Sequence, residues 1–156
     1  MATKEQITIN RRMADYFDAP ELREMAKKLV KCQELVSHID VNEVLFLKEM
    51  ETTPKAAAKC FSLATHPMRY FTNARFCIVF YESNIDYFSK DQRAILLFHE
   101  MMHIPAVGDK LVDHDVKDFY DVLKLGIDWN SRGVKVPNIL GEGNGDKKGK
   151  KKEAAG

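Results

Sequence analysis

Five consecutive residues, His99-Glu100-Met101-Met102-His103, place two imidazoles and a carboxylate within little more than one helical turn. Positions i and i+4 of a helix lie about 40° apart around its axis, so both histidines can reach the same ion. Glu100 is rotated by about 100° from His99 and is better placed to contact a water on that ion. This pattern is typical of a catalytic zinc site, in which three protein ligands leave a fourth position for water.

The third ligand must come from elsewhere in the chain, and His114 is the best candidate. Zinc would lower the pKa of its water to roughly 7, and Glu100 would take the proton as the water attacks an amide carbonyl. A carboxylate could accept the second ring N–H of a ligand histidine, and the pattern does not choose among Asp113, Asp115 and Asp118. Histidines with purely structural roles are the less favoured alternative.

The two histidines of the motif require a helix with defined ends. Ser89 and Gln92 form a capping box that predicts its start, and Pro105 predicts its end just after His103. A turn at Gly108 follows. A second ligand-bearing helix is predicted to begin near Asp113, a suitable N-cap, and to bring its first turn back to the metal.

The remaining elements indicate an α+β domain. Helical spacing of apolar residues predicts an N-terminal helix from Pro20 to about Ile39. Short apolar runs predict strands at 44–47, 59–64 and 76–81, which would make a small mixed sheet of three or four strands. We expect the domain to comprise residues 1–140, followed by a disordered Lys/Gly-rich tail at 141–156.

Length and composition narrow the class of protein. The 156 residues, 45% hydrophobic and 30% charged, fit one globular domain. A net charge of +1 favours neither a nucleic-acid nor a membrane partner. The polar start lacks a signal peptide, and the three cysteines form no CxxC pair. We therefore expect a cytoplasmic protein with reduced thiols.

Residues 96–105, 114–119, 126–129 and 136–140 closely resemble the putative phage metallopeptidase family. More distantly, the sequence is similar to the SprT-like and WLM groups of small zinc proteases. The resemblance implies a compact zincin-like, minigluzincin-type domain in the cytoplasm of the phage's host, with a peptide or protein substrate. Carried over by position, it implies that His99, His103 and His114 bind Zn²⁺ and that Glu100 is the general base.

The resemblance also implies that residues 76–82 form a sheet edge, which an extended substrate could join as an added strand. The alternative is a core strand, because both of its faces are apolar. Two other functions stay open at this stage. One is a non-catalytic, zinc-stabilised module that binds a protein partner. The other is a nucleic-acid-associated phage protein that uses the lysines of the tail, although nucleic acid is the disfavoured partner.

Overall fold

A computed structural model describes residues 16–50, 56–65, 67–116 and 118–142. Within these residues the fold is α+β, with three α-helices and one four-stranded mixed sheet. The part of the predicted tail beyond Glu142 lies outside the described residues. No helix in the described part of the chain has the length and apolar character needed to cross a membrane. The helices are α1 (Pro20–Cys32), α2 (Lys90–Met101) and α3 (Tyr120–Leu123), and the strands are β1 (Tyr16–Asp18), β2 (Val44–Glu49), β3 (Ala58–Ser62) and β4 (Phe76–Tyr81).

The sheet has the strand order β1-β2-β4-β3. The two central strands, β2 and β4, are parallel, and each edge strand is antiparallel to its neighbour. The strand predicted at 76–81 is confirmed, but the prediction that it forms the sheet edge is wrong. All six residues of β4 are buried, as expected for a strand with neighbours on both sides. The edge beside β4 is β3, and β1, which is only three residues long, was not predicted.

Helices α1 and α2 cover one face of this sheet. Phe46, Ile78 and Phe80 from the central strands pack into one core with Leu29 of α1 and Leu97 of α2. Each such fully buried side chain contributes roughly 1.5–3 kcal/mol through removal of apolar surface from water. Helix α2 is buried along most of its length, so the side chains it directs to the site are held on a rigid support.

Helix α1 ends at Cys32, earlier than the predicted end near Ile39. Gln33 adopts an extended conformation, and its side chain donates a hydrogen bond to the Ile139 carbonyl at 2.9 Å. A short 3₁₀ helix, Glu34–Val36, follows. The apolar spacing continues past the end of the helix. The helix boundary is therefore set by a contact with the far end of the domain and not by local propensity.

Candidate metal centre

Helix α2 positions the first part of the candidate site, and its predicted capping box is confirmed. The Ser89 hydroxyl accepts from the Gln92 N–H at 3.1 Å, and the Gln92 side chain accepts from the Ser89 N–H at 2.9 Å. The helix ends at Met101, so His103 lies in the following turn instead of the helix itself. Its N–H donates to the Glu100 carbonyl at 3.2 Å, a tighter i to i−3 bond. The His99 and His103 rings remain neighbours, with centroids 5.4 Å apart.

His114 does not lie on a helix. The helix predicted to begin near Asp113 begins at Tyr120, and His114 precedes it in a segment without regular structure. The backbone just before His114 is bonded to the end of α2 and not within a helix, because the Val112 N–H donates to the His103 carbonyl at 2.8 Å. The His103 ring in turn donates through Nδ1 to the Val112 carbonyl at 2.6 Å. These two bonds return the chain to the end of α2 and deliver the third imidazole.

Arg75 holds the loop between the second and third histidines. Its Nη2 and Nε both donate to one carboxylate oxygen of Asp109, at 2.7 and 3.0 Å, and Nη2 also donates to the Gly108 carbonyl at 2.9 Å. Nη1 donates to Glu43 at 3.2 Å. Gly108 has φ +85°, which confirms the predicted turn and suits glycine. A side chain just before β4 therefore fixes the loop that carries the chain to His114.

The three histidines come together so that one ring nitrogen of each lies near the other two. Nδ1 of His99 bonds to Asp118 Oδ1 at 2.5 Å and Nδ1 of His103 bonds to Val112, so both rings have Nε2 left over. Nε2 of His114 lies 2.9 Å from Nε2 of His99. One ligand atom from each histidine lies within 4.8 Å of the other two, close enough to hold one metal ion.

The donor set fits a divalent transition metal. Zinc–nitrogen bonds of about 2.0–2.1 Å in a tetrahedral site place the nitrogens about 3.3 Å apart. The Nε2 atoms of His99 and His114 are 2.9 Å apart, which is near that separation. A ligand imidazole must be neutral, and burial lowers the pKa of both His99 and His103. At His99 the negative charge of Asp118 opposes this shift. Both rings therefore favour the neutral form that offers a lone pair.

Of the three carboxylates that the sequence left open, Asp118 is the one beside a candidate ligand. Its contact with Nδ1 fixes the tautomer of His99 and directs Nε2 to the centre. Asp115 instead accepts from the Tyr120 N–H at 2.9 Å, at the start of α3. Asp118 lies two residues before α3, and no local sequence signal distinguishes it from Asp113 or Asp115.

Glu100 is nearly buried, with 5% of its surface exposed, and its Oε1 lies 3.9 Å from Nε2 of His99. Burial, and then the charge of Asp118, raises the pKa of Glu100 to about 8. Without a cation nearby this carboxyl favours the protonated form, and a cation at the three imidazoles would favour the carboxylate. The structure thus places a buried carboxyl group beside a ring nitrogen of the candidate centre.

The comparisons with known proteins agree with this geometry. The family model described as Putative phage metallopeptidase matches residues 14–143. The chain belongs to this family. The match includes all three histidines and Glu100, and the family description supports a metallopeptidase-like role. No curated protein and no solved structure shows a significant match to the chain.

A cavity of about 200 Å³ opens beside His99. Apolar and polar side chains share its wall, and Ala58 of the edge strand β3 and the preceding Ala57 contribute to it. Its lining consists of Ala57, Ala58, Phe88, Leu96, His99, Glu100, Asp118, Trp129 and Asn130. The cavity therefore borders both the candidate centre and the edge strand β3.

Proposed function

We propose that this chain is a zinc-dependent metallopeptidase that hydrolyses peptide bonds. In this proposal His99, His103 and His114 bind the zinc ion and Glu100 is the general base. The observation that carries it is the convergence of one ring nitrogen from each of three histidines beside a buried carboxyl group. Membership of the phage metallopeptidase family supports the same reaction class.

Zinc is the metal that suits these ligands best. Three neutral imidazoles without a thiolate or a carboxylate in the set match the ligands of catalytic zinc sites that keep one position open. Zinc bound here would act as a Lewis acid and lower the pKa of a coordinated water.

Glu100 would move the proton during hydrolysis. Its carboxylate lies beside the imidazole nitrogens, where it can accept a proton from the attacking water. The same carboxyl group would then donate that proton to the amine that leaves. A buried group suits both steps, because the low-dielectric surroundings bring its pKa nearer to neutral than that of an exposed glutamate.

The edge strand β3 offers a way to hold the substrate. Leu63 N–H donates to the Arg75 carbonyl and Tyr81 N–H donates to the Ala57 carbonyl, so the odd-numbered positions of this strand face β4. In an antiparallel ladder the alternate positions, Ala58, Cys60 and Ser62, direct their N–H and C=O groups away from the sheet. Ala58 also lines the cavity beside Glu100. We propose that a substrate peptide pairs with these groups in an extended conformation.

Metal analysis combined with a proteolysis assay tests the proposal. The full-length protein is expected to bind one zinc ion and to cleave an unstructured substrate such as casein. Glu100→Gln should retain the zinc and lose at least about a hundredfold in rate, the usual loss when a general base is removed. Glu24→Gln, at an exposed position of α1, is the matched control and should cleave like the wild type.

Three results would contradict the proposal in different ways. Protein that binds no zinc would refute the metal site. Equal cleavage by the wild type and Glu100→Gln would refute the assigned base. Zinc-loaded wild type that cleaves no unstructured substrate but retains a specific protein partner would support the non-catalytic binding module instead.

A further inference from the structure

The segment after α3 returns to the candidate metal centre and contacts it through Trp129. The indole Nε1–H donates to Asp118 Oδ2 at 2.9 Å, while Asp118 Oδ1 faces His99 Nδ1 at 2.5 Å and accepts from the Phe119 N–H at 2.7 Å. The two carboxylate oxygens therefore have different partners. Trp129 is buried, with 4% of its surface exposed, so water competes little for this bond.

The position of Trp129 is itself fixed by the helix that carries His99. Gln92, in the first turn of α2, is almost fully buried, and its Nε2 donates to the Trp129 carbonyl at 3.0 Å. The indole also packs edge-to-face on Phe88, with ring centroids 6.1 Å apart. Helix α2 thus holds the tryptophan, the tryptophan holds Asp118, and Asp118 contacts a histidine two turns further along the same helix.

A carboxylate can rotate about its Cβ–Cγ bond unless both oxygens are fixed. With Oδ2 bonded to the indole, Oδ1 stays directed at the His99 ring. Loss of the indole N–H would leave an oxygen of the partly buried Asp118 without its donor and would free the carboxylate to turn. Nδ1 of His99 would then lose its fixed acceptor, and Nε2 would be less constrained toward the metal.

We propose that Trp129 is a positioning residue of the metal centre that acts on His99 through Asp118. This inference rests on the proposed function, since it requires that His99 is a metal ligand. It predicts that a single N–H group outside the ligand set contributes to metal affinity. Removal of an outer hydrogen-bond partner of this kind typically lowers metal affinity by about 10- to 100-fold.

The test measures zinc affinity of the full chain by competition with a chelating indicator. Trp129→Phe, which keeps a ring to pack on Phe88 but lacks the N–H, should bind zinc at least about tenfold more weakly. Tyr87→Phe is the matched control, because it removes a hydrogen bond to the neighbouring Asn130 carbonyl without touching Asp118. Its affinity should equal that of the wild type.

A double-mutant cycle separates action through Asp118 from a general loosening of the fold. In an Asp118→Ala background, Trp129→Phe should cause no further loss of zinc affinity, because its target is already gone. Losses that simply add would overturn the inference, as would a Trp129→Phe protein with wild-type affinity. Wild-type protein that binds no zinc would instead refute the proposed function itself.

A measurement without substitution covers the case in which Trp129→Phe fails to fold. Trp129 is the only tryptophan of the chain, so the indole N–H gives a single nuclear magnetic resonance signal. Addition of zinc to the wild type should shift this signal, because the metal polarises His99 and, through it, the carboxylate that accepts the indole hydrogen bond. Zinc binding that leaves the indole signal unchanged would overturn the inference.

Discussion

The buried Glu100 should make the stability of the metal-free protein depend on pH in a specific way. Burial raises its pKa from the ordinary 4.5 to about 8. Between these two values the folded state holds a proton that the unfolded state has released. The free energy of unfolding therefore falls as the pH rises through this window. Above about pH 8 the full cost of burying the charged carboxylate is present.

The size of the effect follows from the two pKa values. One pKa unit corresponds to 1.36 kcal/mol, so the rise from 4.5 to about 8 sets a ceiling of about 5 kcal/mol. Glu100→Gln keeps the shape of the side chain but does not titrate. The variant should gain stability relative to the wild type as the pH increases, by up to that amount.

Urea unfolding of wild type and Glu100→Gln from pH 5 to pH 9, with a chelator present, measures this difference directly. His99 and His103 have lowered pKa values and so give the opposite pH dependence. They reduce the free energy of unfolding as the pH falls below about 6.5, because the unfolded state then binds more protons. Both proteins contain these histidines, so their contribution cancels in the comparison. A difference that stays constant within about 0.5 kcal/mol between pH 5 and pH 8 would refute the reasoning.

Three further predictions concern the surroundings of the site. Gly141 has a left-handed φ of +75°, which alone costs a residue with a side chain roughly 1–2 kcal/mol. Gly141→Ala should lower the free energy of unfolding by more than this, because the new Cβ would also lie 2.7 Å from Cys32 Sγ. Gly133→Ala, with φ +76° and open space around the new Cβ, is the control in urea unfolding. In thiol labelling of the native protein, Cys77 should react far more slowly than the exposed Cys32, since burial raises its pKa to about 12. Arg75→Met should increase amide hydrogen exchange in the 104–112 loop, and unchanged exchange would contradict its role as an anchor.

Much of the helix that carries His99 could be predicted from sequence because its determinants are local. The spacing of His99 and His103 fixes their common face, and the bonds between Ser89 and Gln92 join residues only three positions apart. The β4 strand and the turn at Gly108 were predicted for similar reasons. Each feature depends on residues that are neighbours in the chain, so the order of amino acids contains the signal.

Only the tertiary structure decided how the third histidine and the orienting carboxylate reach the site. His114 lies in a loop rather than on a helix, because the loop is bonded to Arg75, more than thirty positions earlier. Asp118 was selected from three similar carboxylates by contacts with His99 and Trp129, 19 and 11 positions away. Strand β4 is central because it pairs with strands on both sides. The sequence determined which groups could do the chemistry, and long-range packing and hydrogen bonds determined which of them meet.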